Sequence, residues 1–176
     1  MSHNHCYLLD ASAFLNYVDP NRSTSTPIIH DIVNEISKGN FYYMPQFCVA
    51  EVFNTFAKWR YDKGKIDNNS YNRLCAAFKD MIHDRKVIYA YDLHRYHNIN
   101  CDKIYATEHT TTRPTTKSYL STFDILIIAM GIELQKIHGI ADVTILSNDK
   151  RLINISNLVG VQAQISAYSC DIFMYF

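Results

Sequence analysis

The sequence predicts an α/β fold, a three-layer α/β/α sandwich around a parallel sheet of about five strands. Short apolar runs alternate with helical periodicities along the chain, which implies right-handed crossovers and a sheet held between helix layers. The 176 residues are 48% hydrophobic, enough for one full core and too few for two comfortable domains, so residues 1–176 read as a single domain.

Cys6–Leu9 is an apolar run that stops at Asp10. Small, polar Ser12 follows, then the helical pattern Phe14-Leu15-x-x-Val18, giving a buried strand, a tight turn and a helix over about Ala11–Tyr17. Turn residues make Asp19–Pro27 a loop. Ile28, Ile29, Ile32, Val33 and Ile36 recur at helical spacing, and Gly39-Asn40 closes that helix. Phe41–Met44 is the second strand. Pro45 suits a helix start, and Gln46–Tyr61 is helical until Lys63-Gly64-Lys65 breaks it. The next helix, about Asn68–His83, carries Tyr71, Leu74, Cys75, Phe78 and Ile82 on one face. Val87–Tyr91 is the third strand. Leu93–Ala106 is a weakly patterned helix, and polar, Thr-rich Glu108–Lys117 is a surface loop. A helix apolar on all sides spans Phe123–Lys136 and ends at His138-Gly139. Val143–Ser147 is the fourth strand, a short helix follows Asp149, and Val161–Ile165 is the fifth strand. The apolar tail Ala167–Phe176 either covers the sheet edge or makes an interface, with a homodimer as a candidate assembly.

Basic and acidic residues balance at 17 each, so no overall positive field attracts nucleic acid. Any polyanion must be held by a local patch or by bound cations. The 5 cysteines are scattered, odd in number and lack a Cys-x-x-Cys. That argues for reduced thiols in a cytoplasmic protein and against a disulfide frame or a zinc cluster. Met1–His5 holds no basic segment before an apolar run, so no secretory leader is expected. The longest apolar run, Ile125–Ile132, is too short to span a bilayer, and no membrane partner is expected.

Four acids fall on one edge of the expected sheet. Asp10 ends the first strand, and Glu51 lies in the second turn of the helix after the second. Asp124 opens the helix leading into the fourth strand, and Asp149 follows that strand. Each helix that leads into a strand begins at the carboxyl edge, where ligand crevices form. Singly, each acid has an ordinary reading. Asp10 and Asp149 suit helix N-caps, Ser121-x-x-Asp124 suits a capping box, and Glu51 suits an exposed helix position. Together they are costly. Two carboxylates roughly 5 Å apart repel by about 3 kcal/mol at an effective dielectric near 20. A cation keeps such a cluster charged, and all-oxygen ligands select Mg²⁺ or Mn²⁺.

Four segments carry a family likeness in the same order: Leu8-Leu9-Asp10-Ala-Ser12, Pro45-x5-Glu51-Val-Phe, Thr122-Phe-Asp124-Ile-Leu-Ile-Ile-Ala129, and Ile145-Leu-Ser147-Asn148-Asp149-Lys150-Arg151-Leu152. The chain thereby resembles the PIN-domain nuclease family over nearly its whole length. The resemblance implies strand order 3-2-1-4-5 and a metal-dependent endoribonuclease, with Mg²⁺ (or Mn²⁺) as cofactor and RNA as substrate. It implies a catalytic cluster of Asp10, Glu51, Asp124 and Asp149. Asp10 and Asp149 are the expected direct metal ligands, and Asp124 is a ligand or holds a metal-bound water. Glu51 orients the attacking water or takes its proton. Ser12 and Asn148 match flanking polar positions and are expected to donate hydrogen bonds to carboxylates or phosphate. Many members are toxins of bacterial toxin–antitoxin pairs, which makes an antitoxin protein a candidate partner. The alternative is a catalytically silent PIN-like module that binds RNA or protein. An aspartyl-phosphate phosphatase would need a second Asp where Ser12 stands.

Lys58 shares a helix face with Glu51, Asn54 and Thr55, placed to steer phosphate or to join a solvated stripe. The run Lys58-Trp-Arg60-Tyr61-x-Lys63-x-Lys65 mixes cations with aromatics as single-strand binders do, although a helix end with a core Trp59 suits it better. Arg113 and Lys117, on the loop before Asp124, are candidate RNA contacts. His94 and His97 stand at i, i+3, but no Cys or third His at zinc spacing supports a zinc site.

Overall fold

Cys6–Leu9 (β1) and Val143–Ser147 (β4) are buried at every position and pair in parallel at the centre of the sheet. Strands apolar on both sides need cover on both faces, which is what a parallel sheet between helices supplies. Phe41–Pro45 (β2) and Ile88–Tyr91 (β3) extend the sheet on one side of β1, and Gln162–Ile165 (β5) flanks β4 on the other. The order is β3-β2-β1-β4-β5, with every pairing parallel. The computed structural model describes residues 5–19, 40–84, 87–111, 119–139 and 143–165. The expected loop over 19–27 beyond Asp19, the expected helix over 28–36 and the tail over 167–176 lie outside them.

Ala11–Val18 (α1), Gln46–Ala57 (α2) and Asn68–Lys79 (α3) pack together as one layer; Cys101–Thr111 (α4), Thr122–His138 (α5) and Lys150–Leu158 (α6) form the other. The expected three-layer α/β/α sandwich is therefore present. Phe78 organises the first layer, with its ring 4.7 Å from Phe14 and 5.1 Å from Phe53. In the second, Ile125–Met130 are all buried. Gly131 lets that helix lie close on the sheet, since a Cβ there would stand 2.9 Å from Ile145 Cδ1.

Two helices end differently from the pattern. α2 and α3 each finish in a π-helical turn, Lys58–Asp62 and Asp80–Asp84. The first keeps Trp59 in the core, 5.7 Å from Phe56. The stretch expected as one helix over Leu93–Ala106 is instead irregular up to Tyr96, then a 3₁₀ turn (His97–Asn100), then α4. Glu108–Thr111, expected to begin a surface loop, closes α4. The Thr107 hydroxyl donates to the Lys103 carbonyl at 2.9 Å, and Thr111 donates to Thr107 at 2.7 Å. Such back-bonding satisfies the hydroxyl of a β-branched residue inside a helix. Glu108 itself is fully buried, its Oε1 meeting Arg151 Nη2 at 2.5 Å and the Leu120 N–H at 2.7 Å.

Cys6, Cys48, Cys75 and Cys101 carry no disulfide, and burial pushes the Cys6 thiol up to about 12. Among the described residues no helix is long and apolar enough to cross a membrane.

Glu108 bridges α4, α6 and the segment leading to α5, so its removal should be felt globally. Glu108→Ala is expected to cost about 3–5 kcal/mol, the usual loss when one partner of a buried ion pair is deleted. Urea unfolding should show a lower midpoint at unchanged slope. Glu108→Gln, which keeps the acceptor for Leu120, should lose less.

Candidate active site

The chain leaves β1 at Asp10, whose N–H still donates to the Leu146 carbonyl of β4 at 3.0 Å. The carboxylate is thereby fixed at the carboxyl edge between the two central strands. Its Oδ2 accepts the Ser12 hydroxyl at 2.5 Å and the Ser147 hydroxyl at 2.7 Å. Ser147 Oγ in turn accepts the Asp149 N–H at 3.0 Å. Ser12 Oγ accepts the Asn148 N–H at 3.0 Å, and the Asn148 side-chain amide donates to the Ser12 carbonyl at 2.9 Å. The ends of β1 and β4 are laced into one unit. Asn148, expected to face carboxylate or phosphate, makes this latch to the backbone of Ser12.

Asp149 is the N-cap of α6, with Oδ1 accepting the Arg151 N–H at 2.7 Å and the Leu152 N–H at 3.3 Å. Asp124 and Ser121 form a reciprocal capping box at the start of α5. Asp124 Oδ2 accepts the Ser121 N–H at 2.9 Å, and Ser121 Oγ accepts the Asp124 N–H at 3.2 Å. The ordinary cap readings are thus correct for both residues, and in each the capping bonds use one carboxylate oxygen of two. Glu51 projects from the exposed side of α2.

Asp10, Glu51, Asp124 and Asp149 all line one cleft of about 820 Å³, together with Ser12 and Asn148. Their charges act on one another. Burial, then the charges of Asp10 and Asp124, raises the Glu51 carboxyl above its ordinary value, while Lys58 pulls it the other way. Burial also raises Asp124; its Ser121 bonds oppose this, and Asp149 and Asp10 add to it. At the cleft wall, burial and the nearby Asp10 charge push the Cys48 thiol up. The Lys and Arg ion pairs among the described residues lie elsewhere, at Lys65–Asp19 and Arg151–Glu108.

The carboxylates and hydroxyls around the cleft are hard oxygen donors of the kind that suit Mg²⁺ or Mn²⁺, and the amides of Asn54 and Asn148 and the Cys48 thiol line it beside them. No three of the cleft acids bring their ligand atoms within 4.8 Å of one another. Among the described residues, one group of side chains converges tightly enough to hold an ion by itself, and it lies elsewhere: His94, His97 and Glu133.

Of the candidate nucleic-acid contacts, Lys58 is exposed and felt electrostatically at Glu51, but it does not line the cleft. Arg113 and Lys117 lie outside the described residues. Trp59 is buried, with Lys65 Nζ 4.7 Å above its ring, so it offers no stacking platform. Two residues escaped the sequence reading. Ser147 looks like the last residue of an apolar strand, yet its hydroxyl joins Asp10 to the turn at Asp149. Phe123 is 59% exposed at the cleft mouth, and its ring stacks on Phe47 at 5.0 Å. A polar residue ending a strand beside an Asp was the available signal for the first; nothing in the periodicity marks the second.

Comparison with known proteins finds no matching family model and no matching curated protein.

Glu51 and Asp124 hold a proton more tightly in the fold than in the open chain. In metal-free protein that preference stabilises the fold below the ordinary carboxylate range and is lost as pH rises through the raised values. Glu51→Gln should therefore raise the melting temperature in EDTA at pH 7 by about 1–2 °C, the effect of roughly half a kcal/mol for an exposed group. The gain should vanish below the ordinary carboxylate range, near about pH 3, where Glu51 is protonated in both states.

Proposed function

We propose that the chain is a divalent-metal-dependent endoribonuclease of the PIN kind. One observation carries the reading: four acids from distant parts of the sequence line a single cleft, while the Lys and Arg ion pairs among the described residues are made elsewhere. An acidic cleft receives a phosphodiester only when a cation bridges the two. RNA as the substrate, rather than another phosphodiester, rests on the sequence resemblance.

Asp10, Asp124 and Asp149 would hold Mg²⁺ or Mn²⁺. When bound, the ion neutralises phosphate oxygens and lowers the pKa of water. The remaining roles belong to the chain. Ser12 and Ser147 fix the Asp10 carboxylate in one orientation before any ligand arrives. Glu51, with its pKa raised by burial and by its acidic neighbours, is suited to accept a proton from the attacking water. In the reaction, the water oxygen bonds to phosphorus, one ester P–O bond breaks, and the departing oxygen takes up a proton. Phe123, backed by Phe47, offers an exposed ring to an unpaired base. An antitoxin partner and a cytoplasmic setting belong to this same reading, with a toxin of a toxin–antitoxin pair as its narrower form.

Asp10→Asn should lower Mn²⁺-dependent cleavage of total cellular RNA by at least about 100-fold, the scale on which a preorganised electrostatic group contributes to catalysis. Its melting curve should be unchanged or slightly raised. Undiminished cleavage by the pure variant, or cleavage by the parent protein in EDTA, overturns the assignment. Growth arrest on expression, relieved by the same substitution, supports the toxin form. Phe123→Ala should raise KM for single-stranded RNA by about 5-fold or more, since stacking on an aromatic is worth about 1–3 kcal/mol per base.

A further inference from the structure

A second constellation lies between β3 and α5, away from the acidic cleft. Tyr91 ends β3, and the chain then turns so that the rings of His94 and His97 stack, with centroids 3.9 Å apart. Glu133 reaches them from the middle of α5. His94 Nε2 is 3.0 Å from Glu133 Oε2, His97 Nε2 contacts the same oxygen, and the Tyr91 hydroxyl donates to it at 2.5 Å. The donor atoms of His94, His97 and Glu133 all lie within 4.8 Å of one another. Glu133 follows Asp124 along one helix at a distance of about 13 Å, from a rise of about 1.5 Å per residue. The two groups therefore cannot share an ion.

We propose that His94, His97 and Glu133 form a transition-metal site, suited above all to Zn²⁺. This inference does not depend on the nuclease reading. Two imidazoles and a carboxylate are borderline donors, which favour Zn²⁺ and its neighbours over Mg²⁺. Ligand bonds of about 2.0–2.1 Å in a tetrahedral shell set donor atoms about 3.3 Å apart. The 3.0 Å between His94 Nε2 and Glu133 Oε2 is close to that edge, and the closer His97 Nε2 would draw back from the same oxygen to admit the ion. His97 is fully buried, whereas the His94 side chain is 41% exposed. One side of the site is thus fixed by packing, and the other opens to solvent for a water or a small ligand.

The metal-free tautomer is defined by the backbone. The His94 N–H donates to His97 Nδ1 at 3.1 Å, so a neutral His97 carries its proton on Nε2 and gives it to Glu133. Ion binding at Nε2 moves that proton to Nδ1, and the bond from the His94 N–H is lost. No proton leaves the ring in that exchange, but the lost hydrogen bond works against affinity. Binding in the micromolar range is the expectation, weaker than in a closed structural zinc site.

The test uses the full chain, stripped with EDTA, dialysed, and titrated with ZnCl₂ by calorimetry and with CoCl₂ by visible absorption. In the Asp10→Asn, Asp149→Asn double variant, where Asn still suits the cap position at 149, one equivalent of Zn²⁺ should still bind. Co²⁺ should give the intense visible bands of a four-coordinate site. His94→Ala, at the solvent side, should weaken Zn²⁺ binding by about 100-fold or more and remove the bands. His97→Ala should do the same; if it fails to fold, His94→Ala decides. The proposal is overturned if Zn²⁺ binding persists in His94→Ala, if it disappears with the two cleft acids, or if none is seen up to about 1 mM.

Discussion

Asp10 is a buried carboxylate at the point where the two central strands end, and burying a carboxylate is unfavourable unless its charge is met by donors. Two hydroxyls meet it here, from Ser12 and Ser147. Those hydroxyls are themselves held, by the Asn148 N–H and the Asp149 N–H. The result is a short chain of hydrogen bonds running from one strand end across to the next helix start. Hydroxyls, unlike Lys or Arg, satisfy the carboxylate without neutralising it. The charge remains available to a cation, and the geometry around it is set in advance.

The same logic separates the ordinary roles of the other acids from their candidate chemistry. A helix cap needs one carboxylate oxygen, and Asp124 and Asp149 cap α5 and α6 through Oδ2 and Oδ1 respectively. Capping fixes the side-chain rotamer and so directs the second oxygen. An acid at a helix start gains from the helix dipole as well, which offsets part of the repulsion among neighbours in the cleft. The cap and the ligand readings of these residues are therefore complementary, and burial, with the neighbouring charges adding to it, raises the carboxyls of Glu51 and Asp124.

The sheet was readable in the sequence because its two central strands are short and apolar on both sides, and its helices are long enough to show their period. The four acids were readable because a parallel topology places every strand end and every incoming helix start at one edge. What was not readable depended on contacts between distant segments. Glu108 looked like the start of a polar loop because nothing local says that Arg151 and the Leu120 N–H will close over it. His94 and His97 looked unsupported because their third partner, Glu133, lies on a helix whose pattern is overwhelmingly apolar. The π-helical turns after α2 and α3 follow from where Trp59 and Met81 must be buried, and periodicity does not encode such an offset.

Both polar constellations draw on α5, and the packing of that helix explains why. Ile125–Met130 are buried, and Gly131 brings the backbone against Ile145 and Val161. A helix seated this closely cannot slide or rotate without clashing, since packed cores resist even small displacements. Polar side chains at its start and its exposed flank are then carried on a rigid bar. Asp124 at the first turn is aimed toward the ends of β1 and β4, and Glu133 further along is aimed toward the end of β3. Positioning by a buried helix is more reproducible than positioning by a loop. That difference accounts for Asp10, Asp124 and Asp149 being contributed by the end of β1 and the starts of α5 and α6.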